Sequence, residues 1–129
     1  MVPIVPKPRP KNLDLRTIRL PLPGIVSILH RASGALLFLL GIPMMLAGLQ
    51  VSLHSREGFA EVGTMFAHPA VKLLLLAFIW SFAHHFCAGI RFLLLDIHKG
   101  VKIEPARTSS LWVMIVSLLL TLAAGVALW

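Results

Sequence analysis

"LLLLAFIWSFAHHFCAGIRFLLLD", Leu73 to Asp96, is an oily run that carries two adjacent histidines, a cysteine and an arginine. Its first 18 residues, Leu73 to Ile90, stand between Lys72 and Arg91 and include no Asp, Glu, Lys or Arg. The apolar character continues through Leu95. At about 1.5 Å per residue, a helix of this length crosses a hydrocarbon core roughly 30 Å thick. Two further runs behave the same way: Ala32 to Leu53 and Thr108 to Trp129, each 22 residues without a formal charge. Pro43 interrupts the first and is expected to kink it, which membrane helices tolerate. The predicted helices cover about residues 24–53, 67–96 and 108–129, preceded by an irregular, proline-rich arm over 1–23. The fold class is therefore an all-α membrane protein with three transmembrane helices over residues 24–129. No internal repeat is present.

Composition agrees. Of 129 residues, 57% are hydrophobic and only 13% charged, and the mean hydropathy is +0.87. A soluble domain of this size has too little interior to cover so much apolar surface. The net charge of +7 brings nucleic acid to mind, but the basic residues cluster at the ends of oily runs without interleaved aromatics. That pattern fits a lipid membrane and topology signals, with no nucleic acid as partner. Lys7, Arg9, Lys11, Arg16, Arg19 and Arg31 precede or open the first span, and Arg91, Lys99, Lys102 and Arg107 lie between the second and third. Only Arg56 and Lys72 lie between the first and second, so ten of the twelve basic residues fall on one side. The positive-inside rule then predicts a cytoplasmic N-terminus and an outside C-terminus, with Trp129 as an interfacial aromatic. The basic, proline-rich start does not read as a cleavable signal peptide. Cys87, the single cysteine, excludes an internal disulfide and reads as an apolar filler.

Polar residues inside the spans are the functional candidates. "SILHRASG" places Ser27, His30, Arg31 and Gly34 at i, i+3, i+4 and i+7, on one helical face. An arginine alone would read as a snorkelling anchor. A hydroxyl, an imidazole and a guanidinium on a face that also carries glycine read as a buried polar site, because small residues mark packed faces. In the second span His85 lies about 9 Å inside Arg91, with Ser81 at i−4, Gly89 at i+4, Phe92 at i+7 and Asp96 at i+11. An imidazole with glycine one turn away suits a porphyrin: the nitrogen reaches the iron and the missing side chain admits the macrocycle. The bland alternative is a hydrogen-bonded histidine at a helix contact. His84 points about 100° away, so only one of the two is expected to bind. Three helices with one placed imidazole leave a second axial ligand to a partner chain. His54, His68 and His98 read as loop histidines, and Met44 and Met45 as packing residues.

The motifs "RPKNLDLRTIRLPLPGIVSILHRASG" and "HHFCAGIRFLLLD" resemble the cytochrome b membrane-anchor subunits of succinate dehydrogenase, the larger of two hydrophobic anchors. The resemblance covers most of the chain. It implies the anchor of a succinate:quinone oxidoreductase, working in electron transport and the tricarboxylic acid cycle, with no catalytic activity in this chain alone. The implied cofactor is haem b, shared with a second membrane-anchor subunit that supplies the other axial ligand. Ubiquinone is the implied substrate. FAD and iron–sulfur clusters belong to the partner flavoprotein and iron–sulfur subunits, so the chain is part of a hetero-oligomeric helix bundle. By position, His85 matches the axial haem ligand, with His84 as the alternative, and His30, Arg31 and Gly89 match residues around the haem. Ser27, Arg31 and Asp96 match residues of the quinone pocket. His84 stands where another residue, often aromatic, is usual, and Phe92 replaces a frequent histidine. Since the motif begins near residue 9, no long transit peptide is expected, and the expected location is a bacterial inner membrane. The alternatives are the anchor of a related quinol:fumarate reductase and a haem-free structural anchor. A small channel subunit fits less well, because the second and third spans carry no charged residues within the membrane, where a conduction path usually needs polar groups.

Overall fold

The computed structural model describes residues 18–129; the arm motif RP-x-NLDL and the basic residues up to Arg16 lie outside the described residues. Helices account for nearly all of the rest: α1 (Leu22–Leu36), a π-helical turn (Leu37–Gly41), α2 (Ile42–His54), α3 (Arg56–Ala67), α4 (Pro69–Asp96) and α5 (Ile103–Leu128). Three stretches are long and apolar enough to span a membrane: Leu22–His54, Pro69–Asp96 and Ile103–Leu128. The all-α, three-span class read from the sequence is the observed one. α5 starts earlier than the expected residue 108 because "IEPART" continues the helix toward Lys102, with Glu104 in the first turn favouring the helix dipole.

The interruption near Pro43 takes a specific form. Pro43 lacks an N–H and crowds the preceding turn. The chain answers with a wide turn over Leu37–Gly41, after which the Ile42 N–H donates to the Leu37 carbonyl. Such π-turns insert one extra residue and re-aim a helix. Here the turn brings Gly41 against α4, where an added Cβ would stand 3.5 Å from the Phe78 ring.

The segment between the first two spans folds as α3, which hydropathy alone does not announce. Ser55 caps it, its Oγ accepting from the Gly58 N–H at 3.0 Å, with Glu57 in the first turn. Gly58 is needed there, since a side chain would collide with the Val51 carbonyl. Then His68 caps α4 through Nδ1, which accepts from the Ala70 N–H at 3.2 Å, and Pro69 opens the helix.

α1 and α5 both pack on α4. The fully enclosed apolar cluster is small: Val26 of α1, Ala88 of α4 and Val113 of α5, with Cys87, Phe92 and Met114 against it. Cys87 is thus packing, as its surroundings in the sequence suggested. Serines line the α4–α5 seam. Ser81, Ser110 and Ser117 bury hydroxyls that donate to carbonyls of their own helices, at 2.8, 2.7 and 3.0 Å. Each small side chain satisfies itself and lets the backbones approach. Large apolar side chains such as Phe38, Leu39, Met45, Phe82 and Leu119 face outward, which suits hydrocarbon or another apolar helix.

Arg91 departs from its reading as a loop charge. It lies inside α4, only 6% exposed. Its Nε donates to Ser109 Oγ at 3.0 Å and its Nη2 to the Ala106 carbonyl at 3.4 Å, tying α4 to the first turns of α5. At the opposite end of the same pair, Lys72 Nζ donates to the Leu128 carbonyl at 2.7 Å and sits 5.0 Å from the Trp129 ring centroid. One cation therefore caps the last turn of α5 and covers an aromatic face. Lys72→Met should destabilise this end by about 1–2 kcal/mol, read as a lower melting temperature of the detergent-solubilised protein. An unchanged melting temperature would show that the clamp carries no stability.

Candidate functional site

The polar face of α1 and the last three turns of α4 meet at the end of the bundle where α5 begins. Arg31 folds back on α1: Nη2 donates to Ser27 Oγ at 3.2 Å and Nε approaches the Ser27 carbonyl at 3.4 Å. A guanidinium only donates, so the Ser27 hydroxyl uses a lone pair in this contact and keeps its own hydrogen. Ser27 is half-buried and Arg31 exposed. The pair forms a donor group at the rim, a charged fork polarising a free hydroxyl.

One turn deeper, His85 of α4 lies against α1. Its Nδ1 is 2.9 Å from the His30 carbonyl. A carbonyl can only accept, so Nδ1 carries the hydrogen, and Nε2 of the neutral ring holds the lone pair. No hydrogen bond to that Nε2 occurs among the described residues. The ring is held on its faces and edge as well. His30 stacks on it with centroids 4.1 Å apart and planes 11° from parallel. Gly34 supports the edge: an added Cβ would stand 2.7 Å from His85 Cε1 and 3.1 Å from Nδ1. No side chain fits between α1 and this imidazole.

Gly89 leaves open space on α4 beside His30. A Cβ there would stand 3.7 Å from His30 Nε2, an ordinary contact, so the gap opened by Gly89 is lined by the His30 ring. Phe92 also leans on His30, with centroids 5.1 Å apart. Thus His30 sits between His85 and Phe92 rather than reaching out to the rim. Asp96, at the end of α4, is exposed and does not pair with Arg31; the ion pair among the described residues joins Arg107 to Glu104 at 3.5 Å on the surface.

His84 has the opposite environment. It is fully enclosed, on the seam with α1 and α5, and stacks on Trp80 at 5.4 Å. Neither ring nitrogen has a hydrogen-bond partner, nor has the Trp80 indole nitrogen; the Val26 backbone approaches His84 without reaching hydrogen-bond geometry. Unpaired buried polar atoms cost about 1–3 kcal/mol each. Both nitrogens are walled off by protein.

Among the described residues no three His, Cys, Asp or Glu side chains gather as a metal cluster. A single open imidazole, its other nitrogen tied to a backbone carbonyl, is the donor set expected when a macrocycle supplies most of the coordination. The residues fit a haem. Two groups escaped the reading of the sequence. Ser33, 5% exposed, has its hydroxyl beside His85 Nδ1 at 3.3 Å. Arg91 shares the face of Ser81, His84 and Ala88, a spacing of three, four and three that marks a buried stripe in hindsight.

Comparison with known proteins agrees over nearly the whole chain. The family described as succinate dehydrogenase/fumarate reductase transmembrane subunit matches residues 5–124. A succinate dehydrogenase cytochrome b556 subunit from Coxiella burnetii is 34% identical, covering 94% of this chain and 97% of its own. The corresponding subunit from Paracoccus denitrificans is 32% identical over 79% of this chain and 78% of its own. That from Rickettsia prowazekii is 29% identical, with 88% of each chain covered. With its three spans and its polar site between α1 and α4, the chain belongs to the succinate dehydrogenase/fumarate reductase transmembrane-subunit family, as a cytochrome b anchor subunit.

Proposed function

We propose that this chain binds haem b through His85 and forms part of a ubiquinone site with Ser27 and Arg31, anchoring a flavoprotein and an iron–sulfur subunit to the membrane. The observation that carries the reading is the His85 ring: Nδ1–H donates to the His30 carbonyl, leaving Nε2 unprotonated and open. When bound, haem b supplies a one-electron carrier within the membrane. A second anchor subunit would share in holding the haem. Arg31, exposed at the rim, would offer a cation to the carboxylates of a bound porphyrin, while His30 stacks on the His85 ring.

Quinone reduction adds negative charge to a carbonyl oxygen, and donors aimed at that oxygen stabilise it. Ser27 has a hydrogen to give, and the Arg31 contact makes its hydroxyl more acidic in character. The exposed Asp96 carboxylate stands at the same end of the bundle as a proton acceptor. A dithionite-reduced minus oxidised spectrum of the purified complex should show the sharp visible bands of a b-type haem. Their absence would leave the haem-free anchor reading in place. Running as a fumarate reductase is the second direction contained in the family's description; the three relatives above are named for succinate dehydrogenase.

The ten-to-two split of basic residues supports an orientation with the α4–α5 connection in the cytoplasm. In a Cys87→Ala background, an impermeant thiol reagent on intact cells should label Gly63→Cys and not Lys102→Cys. The reverse pattern would invert the orientation. Position 63 is suited to this because nothing lies within 4 Å of an added Cβ there.

A further inference from the structure

We propose, on the reading of His85 as the axial ligand, that Ser33 is a positioning residue which sets how basic that ligand is and so tunes the haem's reduction potential. Ser33 stands on α1, 52 residues from His85 in sequence. It is buried at the contact of the two helices and is one of the few side-chain polar groups facing the ring. Its Oγ–H donates to the His30 carbonyl at 2.9 Å, and the same Oγ lies 3.3 Å from His85 Nδ1. The His30 carbonyl is itself 2.9 Å from Nδ1. Three polar atoms thus close a triangle.

The direction of each hydrogen follows. The hydroxyl hydrogen is used on the carbonyl, so toward Nδ1 the serine presents a lone pair. The Nδ1–H group therefore meets two acceptors, the carbonyl at short range and the hydroxyl at longer range. The carbonyl decides which nitrogen carries the hydrogen. Ser33 adds a second pull on it. Acceptors on the outer nitrogen of a metal-bound imidazole raise the basicity of the inner one and orient the ring. A more basic ligand favours the ferric state and holds the potential down.

Removing the hydroxyl deletes one acceptor from the ring. It also frees a lone pair on the His30 carbonyl, which works in the opposite sense. The direct loss outweighs the indirect gain, because the freed carbonyl acts on the ring only through a bond it already makes. The Ser33→Ala complex should keep its haem and visible band positions, while the midpoint potential moves upward. Ser33→Thr, which keeps a hydroxyl able to reach the i−3 carbonyl, should return to the wild-type potential. Ser33→Val matches threonine in size and should behave like alanine.

The experiment is a redox titration of the assembled complexes, followed in the visible haem band. Equal potentials for the threonine and valine variants would overturn the tuning role, because size and not the hydroxyl would then matter. So would an unmoved or lowered potential in Ser33→Ala. Failure of the underlying reading looks different. If a His85→Leu complex keeps a haem with the wild-type potential and spin state, His85 is not the ligand whatever Ser33 does.

Discussion

His85→Ala should remove haem b or convert it to a high-spin form, while His84→Leu leaves its spectrum intact. The two histidines are neighbours in sequence, yet the expected effects differ between complete and negligible. His85 has an open Nε2, a hydrogen on Nδ1 fixed by the His30 carbonyl, and a wall of α1 backbone at Gly34. His84 has both nitrogens enclosed, so it cannot approach an iron without opening the α1–α4–α5 seam. Leucine keeps most of its volume and brings no unpaired polar atoms, so the fold should be retained or strengthened, by about 1 kcal/mol or more. Absorption of the purified complex, with the spin state from its ferric spectrum, is the measurement. A haem lost with His84→Leu and kept with His85→Ala would assign the iron to His84. The glycine beneath the ring offers an internal check. Gly34→Ala should lose haem almost as fully as His85→Ala, because a Cβ there stands 2.7 Å from Cε1.

The second large effect is expected at the rim. Ser27→Ala should lower succinate:quinone reductase activity about 100-fold, the usual consequence of deleting one donor to a developing oxyanion. Succinate oxidation with a soluble artificial acceptor should stay normal, since that electron path ends before the membrane. Arg31→Leu should have at least as large an effect. It removes the fixed charge and also releases the Ser27 hydroxyl, whose orientation depends on the 3.2 Å contact with Nη2. The two losses should not add, because the residues act through one hydrogen-bonded unit. Asp96→Asn should do less, as Asp96 makes no ion pair with Arg31. Full quinone reduction in assembled Ser27→Ala and Arg31→Leu complexes would reduce the pair to a helix anchor.

Much of the site was legible before any coordinates. The spacing of Ser27, His30, Arg31 and Gly34 placed them on one face, and the depth of His85 marked it as needing a partner. The i+4 spacing gives Gly89 the task of admitting a macrocycle beside His85, since both are on α4. In the structure the glycine that touches His85 is Gly34, on another helix, while Gly89 faces His30. Spacing along one helix shows only neighbours on that helix. Likewise Arg91 counted as a loop charge because it ends an uncharged run, and only the approach of Ser109 and Ala106 from α5 brings it inside.

What the sequence determined by itself is the number of spans and which polar residues share a helical face. Both are local properties: the length of an uncharged run measured against a bilayer, and the helical phase of a few polar residues. What the tertiary structure decided is which side of each helix meets which. His84 and His85 differ by about 100° of helical phase, and no local pattern says which of them faces α1. That choice comes from the π-turn before Pro43, the small residues at Gly34, Ala88 and the α5 serines, and the three-way contact of Val26, Ala88 and Val113. Packing between helices is non-local, and it left one imidazole walled in and the other open.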